Sequence, residues 1–221
     1  MFHNSTFNLL ILKITALLAA VTVHEVAHGF AAYRLGDNTA KLAGRLTLNP
    51  IKHLDLFGSC ILPLILAVSG SPFLFGYAKP VPVDFNKIGY FKKNIILVAS
   101  AGVAANIFLA VSAGIVFQIM SQIKPLWYNL LILGPVLFDL YNLLAYTVII
   151  NSVLAIFNLI PIPPLDGSRI LSALLPNEMK IYFDKIERFG MLILLLLLMT
   201  NIFNKIISFF LVPMMNLLLG R

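Results

Sequence analysis

Residues 22–33 read TVHEVAHGFAAY. They place two histidines and a glutamate inside the first long apolar run of the chain, Phe7 to Tyr33. Ionisable side chains are unfavourable in lipid, and within a membrane span they mark a functional site by default. His24 and His28 are four positions apart, so on a helix they lie one above the other on the same face. Two imidazoles so placed can grip one zinc ion, and Glu25, beside the first of them, can reach a water at that ion. Zinc brings the pKa of such a water down to about 7, where a carboxylate can take its proton. For a chain of this His and Glu content, chance yields His-Glu-x-x-His only about once in a thousand sequences. The bland alternative is a structural polar cluster bonded to backbone carbonyls.

Whether this run is a membrane span depends on composition. The chain has 221 residues, 60% of them hydrophobic and 11% charged. An ordinary soluble domain is about 25% charged. Several runs approach or exceed the ~20 apolar residues that cross a bilayer. The fold class expected is therefore an all-α polytopic membrane protein with about four to six transmembrane helices. The net charge of +7 would hint at nucleic acid in a soluble domain. Here the basic residues lie mostly between apolar runs, so membrane topology accounts for them and no nucleic-acid partner is expected. Cys60 is the single cysteine, which excludes an intrachain disulfide and a thiolate-rich metal site. The opening MFHNSTFNLL has no Lys or Arg ahead of the apolar run, so residues 1–33 read as mature structure rather than a cleaved signal.

Further spans are expected at Asn94–Met120, rich in small residues that let helices approach closely, and at Val136–Asn158. SRILSALL reads as a short helix. Residues 189–219 are apolar around Asn201, Asn204 and Lys205, and fit either one tilted span or two short helices. Trp127 and Tyr128 have the look of interfacial belt residues. A small β element is expected near the active site. In KLAGRLTL, Leu42, Leu46 and Leu48 alternate with Lys41, Arg45 and Thr47, the pattern of a short half-buried strand. In GYAKPVPV, Pro80 and Pro82 forbid a helix interior and permit an extended edge. One domain is expected over 1–221, with a catalytic core at about 7–175.

The charges bear on topology. If residues 56–75 dip into the membrane and return, loops 34–55, 76–93 and 166–188 share one face. They then hold 12 of the 16 Lys and Arg, while the opposite face between spans holds only Lys124. The positive-inside rule favours this re-entrant version, with the loops cytoplasmic.

A hydrolytic zinc site needs a third protein ligand and an open position. No further histidine follows HEVAH at the metzincin spacing, so that ligand lies elsewhere. Glu178, Asp184 and Glu187 sit in a charged stretch, Asp84 in a basic loop, and Asp37 and Asp55 in the first connection. Asp139 lies near the far end of a span. Asp166 follows an apolar span directly, in PIPPLDG, where prolines leave backbone groups unpaired. Irregular backbone at membrane depth is tolerated where it is buried in protein or lines a cavity. If the first and third long spans run parallel, Asp166 and the two histidines lie toward the same face. The alternative is Asp166 as N-cap of the following helix.

HEVAH together with NLIPIPPLDG resembles the site-2 protease family, the intramembrane zinc metalloproteases. Asn158, Pro161, Asp166 and Gly167 match the family signature Asn-x-x-Pro-x-x-x-x-Asp-Gly. AGVAAN, Ala101 to Asn106, looks like its Ala-Gly-x-x-x-Asn element, with Val103 where proline is often found. GRLTLNPIKHLDLFGS and GYAKPVPV look like the compact prokaryotic branch without PDZ or CBS domains. The resemblance covers roughly residues 20–175. It implies one Zn2+ per chain held by His24, His28 and Asp166, with Glu25 as general base and then proton donor to the leaving amine. It implies Asn158 as an active-site amide that positions substrate or stabilises the oxyanion, and Asn106 as a weaker candidate for substrate binding. Helix capping for Asn158 and interhelical hydrogen bonding for Asn106 remain the alternatives. The expected partners are a membrane-protein substrate segment and the bilayer. The expected location is a prokaryotic cell membrane, with access to the site from the cytoplasm. The substrate must unwind to be cut, and the two candidate β segments can offer an edge for it. The competing function is a metal transporter or channel using the His/Asp cluster for transit.

Overall fold

The computed structural model describes residues 6–61, 78–89 and 91–220. Four helices among them are long and apolar enough to cross a membrane. They are α1 (Thr6–Arg34), α3 (Lys92–Gln122), α5 (Leu133–Leu159) and α9 (Asn201–Leu219). Shorter helices lie between them: α2 (Thr39–Leu42), α4 (Lys124–Trp127), α6 (Asp166–Leu174), α7 (Asn177–Glu187) and α8 (Gly190–Leu198). The all-α membrane architecture is as expected, and α1, α3 and α5 agree with the expected spans Phe7–Tyr33, Asn94–Met120 and Val136–Asn158 to within a few residues.

Helix α3 is the hub, packing on α1, α5, α6 and α9. Its buried positions include Ala99, Gly102, Val103, Asn106, Ala110, Ala113, Gly114 and Phe117. They recur every three to four residues and form one stripe of mostly small side chains. In lipid the apolar exterior provides no drive for burial, so close backbone approach and van der Waals contact hold the helices together. Phe108, Ile115 and Ile119 accordingly stay exposed on the other faces of α3. Toward one end, Ala110, Ala113 and Phe117 pack with Val148, Leu218 and Leu219, which joins α3, α5 and α9.

Residues 190–219 form two helices. The break falls at Thr200, whose extended backbone starts α9 and whose hydroxyl donates to the Leu197 carbonyl. Trp127 is buried, and its indole N–H donates to the Met120 carbonyl. It closes the α3–α4 corner rather than facing the headgroup belt.

The expected strand in KLAGRLTL is corrected. Asp37 accepts the Thr39 N–H at 2.9 Å and the Thr39 hydroxyl, which nucleates α2 instead. Gly44, at φ +64°, then turns the chain out of any strand path. Residues 78–84 take no regular secondary structure, and no strand exists among the described residues. Pro80 and Pro82 carry no N–H, and the Lys79 and Val81 N–H groups are engaged by His53 O and Glu25, so 79–82 has no donor left for a ladder. The expected re-entrant stretch begins in the single turn Leu56–Ile61. The rest of it, 62–75, lies outside the described residues.

The three basic loops meet at one end of the bundle. Asp37 accepts the Asp84 N–H at 2.7 Å, and Lys87 Nζ donates to Thr39 Oγ1. Lys92 Nζ donates to the Leu175 carbonyl, and the Arg169 guanidinium lies over the Phe85 ring. Lys124 is at the far end, over Tyr128 and Tyr141. Asp37 is fully buried. Burial pushes its carboxyl up, but hydrogen bonds from the Thr39 hydroxyl and the Asp84 and Thr39 N–H groups, with the Lys87 charge, hold it below the usual carboxylate range.

Candidate metal centre

His24 and His28 lie on successive turns of α1, about 9 to 15 Å along the helix before its end at Arg34. Their rings meet at a 4.7 Å centroid distance, nearly perpendicular. Asp166 arrives from the other side of the bundle, at the first turn of α6. The extended N-cap residue is Leu165, not Asp166, so the carboxylate is free of capping. Its Oδ2 is 3.2 Å from His24 Nε2 and 3.1 Å from His28 Nε2, and the two Nε2 atoms are 3.1 Å apart. The spacing requires two close approaches. Gly167 lets α6 tuck under the end of α5, where a Cβ would run into the Leu159 carbonyl. Gly102 lets α3 lie against the imidazoles, where a Cβ would run into His28 Nε2 and come within 2.6 Å of His24 Cε1.

The outer nitrogens define what the inner ones offer. His28 Nδ1 donates to the Val98 carbonyl at 2.7 Å, and His24 Nδ1 donates to Asn106 Oδ1 at 2.6 Å. Neutral rings held this way turn their Nε2 lone pairs inward, toward the carboxylate. With both rings neutral, three acceptor atoms converge on one point, an arrangement that a cation at its centre would satisfy. Ligands at ~2.0–2.1 Å from a tetrahedral zinc stand about 3.3 Å from one another. The observed 3.1 to 3.2 Å fits that ion. Side-chain exposures of 9%, 12% and 15% for His24, His28 and Asp166 place the group inside the bundle.

Glu25, next to His24 on α1, lies under segment 78–84. Its Oε2 accepts the Val81 N–H at 2.8 Å. That segment is pinned beside the site, because Lys79 donates to the His53 carbonyl and Arg45 donates to the Lys79 carbonyl at 2.7 Å. Asn158, near the end of α5, is half-buried, and its amide donates to the Leu154 carbonyl of its own helix. Asn106 is fully buried with both ends of its amide engaged: Oδ1 by His24, Nδ2 by Asn151 Oδ1 at 2.7 Å and by the Ala20 carbonyl.

Four participants escape a reading of the sequence. The Val98 carbonyl and the Val81 N–H are backbone groups with no side-chain signature. Gly102 was legible as the glycine of the Ala-Gly-x-x-x-Asn element, but not as the contact surface of the two imidazoles. Asn151 was visible as a fully polar side chain inside an apolar span, which is a signal in itself.

Comparison with known proteins agrees with this geometry. The family model described as Peptidase family M50 matches residues 134–201, the part that carries Asn158 and Asp166. A Bacillus subtilis protein bearing a zinc metalloprotease name, YwhC, is 36% identical over 92% of this chain and 85% of its own length. A Mycolicibacterium smegmatis protein with a zinc metalloprotease name, Rip2, is 31% identical over 88% of this chain and 69% of its own. Rip2 of Mycobacterium tuberculosis is 26% identical over the same shares. No solved structure matches the chain.

Proposed function

Since the chain belongs to peptidase family M50, the site-2 proteases, and is a zinc metalloprotease of the membrane, we propose that it cuts peptide bonds within or beside membrane-spanning segments. The observation that carries this reading is the convergence of His24, His28 and Asp166 inside the bundle, the two histidines within a helix long and apolar enough to span a bilayer. A soluble substrate would have no reason to meet its ligands there.

His24 Nε2, His28 Nε2 and one Asp166 oxygen would hold the zinc. When bound, the ion supplies Lewis acidity, polarising the scissile carbonyl and making water acidic near neutral pH. Glu25 takes the proton from the attacking water and returns it to the leaving amine. Its Oε2 accepts the Val81 N–H, which leaves Oε1 able to take that proton with segment 78–84 in place. Asn158 uses one amide hydrogen on Leu154 and keeps the other for a substrate oxygen, as an oxyanion or positioning donor requires. Asn106 is assigned to His24 rather than to substrate, because its buried amide has partners on both sides.

The basic loops gather at the end of the bundle nearest the site, which supports entry of water from the cytoplasmic face of a prokaryotic cell membrane. An unwound substrate strand beside segment 79–82 would find carbonyl acceptors and no donors, so its own N–H groups must make the contact. The test compares membrane protein fragments in cells making the wild-type chain and Glu25→Gln. Fragments present only with wild type support the reading; identical fragment sets, with both proteins zinc-loaded, overturn it.

A further inference from the structure

Behind His24 lies a line of amides that ends on a backbone carbonyl. We propose that Asn151, on α5, is a positioning residue for the metal centre, acting through Asn106 to decide which nitrogen of His24 carries its proton. The inference rests on His24 being a zinc ligand.

The direction of the line follows from its last member. The Thr147 carbonyl can only accept, and Asn151 Nδ2 donates to it at 2.8 Å. That fixes which end of the Asn151 amide faces α3: Oδ1, an acceptor. Asn106 must therefore present Nδ2 to it, and does so at 2.7 Å, with a second contact of that Nδ2 to the Ala20 carbonyl at 3.4 Å. With its amide so oriented, Asn106 turns Oδ1 toward His24, and an acceptor there demands Nδ1–H. The proton is then on the outer nitrogen, and Nε2 keeps the lone pair that a metal needs. Each amide would serve equally well reversed if its neighbours were absent, so polarity enters at Thr147, through the shorter contact, with the longer one to the Ala20 carbonyl favouring the same orientation. Asn106, Asn151 and Ser152 are all 0% exposed, so the line is shielded from solvent. Asn151 hydrogen-bonds Asn106 and the Thr147 carbonyl rather than His24, His28 or Asp166, so its effect passes through Asn106.

A directional relay ranks substitutions differently from packing. Asn151→Leu keeps the branching and heavy-atom count, in a somewhat larger side chain, but removes both the acceptor and the donor. Asn151→Asp, neutral in this buried setting, keeps both: its hydroxyl donates to Thr147 O and its carbonyl accepts from Asn106. The experiment measures zinc affinity of the full chain in detergent by chelator competition, and the visible spectrum of the cobalt-substituted protein as a readout of ligand geometry. Zinc binding about tenfold or more weaker in Asn151→Leu, with an altered cobalt spectrum, and within about threefold of wild type in Asn151→Asp, is expected. Equal affinity in Asn151→Leu and wild type, or better retention in Leu than in Asp, overturns the relay. If Asn151→Leu does not melt cooperatively, Asn151→Ala is compared instead, with the same criteria. His24→Ala is the control: retained zinc there overturns the metal reading itself, whereas loss in His24→Ala with none in Asn151→Leu overturns the relay alone.

Discussion

Asp166 Oδ2 stands 3.1 Å from His28 Nε2, across 138 positions of sequence. The contact closes the candidate metal site and ties the first turn of α6 to the last third of α1. Asp166→Ala is therefore expected to lose zinc by well over tenfold in affinity, since it removes one of three protein ligands. Chelator competition on the purified protein measures this. Removing zinc from the wild type should abolish cleavage, and readdition should restore it; cleavage that survives full metal removal would contradict the site.

Glu25→Gln retains an oxygen for the Val81 N–H and leaves the three ligands intact. Zinc content should match wild type, while peptide cleavage falls by about 10²- to 10⁴-fold, the usual range for a lost acid–base group. Parallel metal analysis and cleavage of a transmembrane peptide check both halves.

Gly102→Ala adds one methyl against His28 Nε2 and the His24 ring. The imidazoles are held from behind by Val98 O and Asn106, so they cannot retreat. Overpacking of this kind costs about 1–3 kcal/mol, and here it should appear chiefly as weakened zinc binding. Gly114→Ala on the same helix meets Leu218 at 3.1 Å and touches no ligand, so it should lower the melting temperature without changing zinc affinity.

Asp37 ties loop 34–55 to segment 78–84 and titrates below the usual carboxylate range. Between its folded and unfolded values the unfolded chain binds more protons, so stability rises with pH there. The contribution is complete above the unfolded value of about 3.9 and is lost as pH falls through the lower folded one. Asp37→Asn should flatten the acid limb of the melting profile and destabilise the protein by about 1–3 kcal/mol at neutral pH. Thermal melts in detergent across the acid range check the sign.

Arg45→Ala should free the segment above Glu25, because the Arg45 guanidinium holds the Lys79 carbonyl two residues before the Val81 N–H. Hydrogen exchange at the Val81 amide is expected to quicken by at least about tenfold, with zinc affinity unchanged. An unaltered exchange rate would show that the segment is held by other contacts.

The spans were legible because lipid imposes length and apolarity on every crossing helix, and no tertiary partner can override that. His24, Glu25 and His28 were legible for a related reason: helical geometry alone brings i and i+4 together. Asp166 was picked out by the prolines before it, which end α5 at membrane depth. The strand in KLAGRLTL was misread because alternation over a few residues is weak beside the local hydrogen bonds of Asp37, which start a helical turn. Trp127 was read from its chemistry, whereas its N–H found an internal carbonyl.

What the sequence determined by itself was the membrane architecture and the choice of His24, His28 and Asp166 as the candidate metal-binding side chains. Both follow from rules that act within one helix or between chain and lipid. What only the tertiary structure decided was the orientation of those side chains. The Nδ1 partners of His24 and His28, the close pass of Gly102, the cover over Glu25 and the Asn106–Asn151 line each join groups from different helices. Such contacts depend on how helices cross, to within an ångström, and close packing settles that only once all of them are in place.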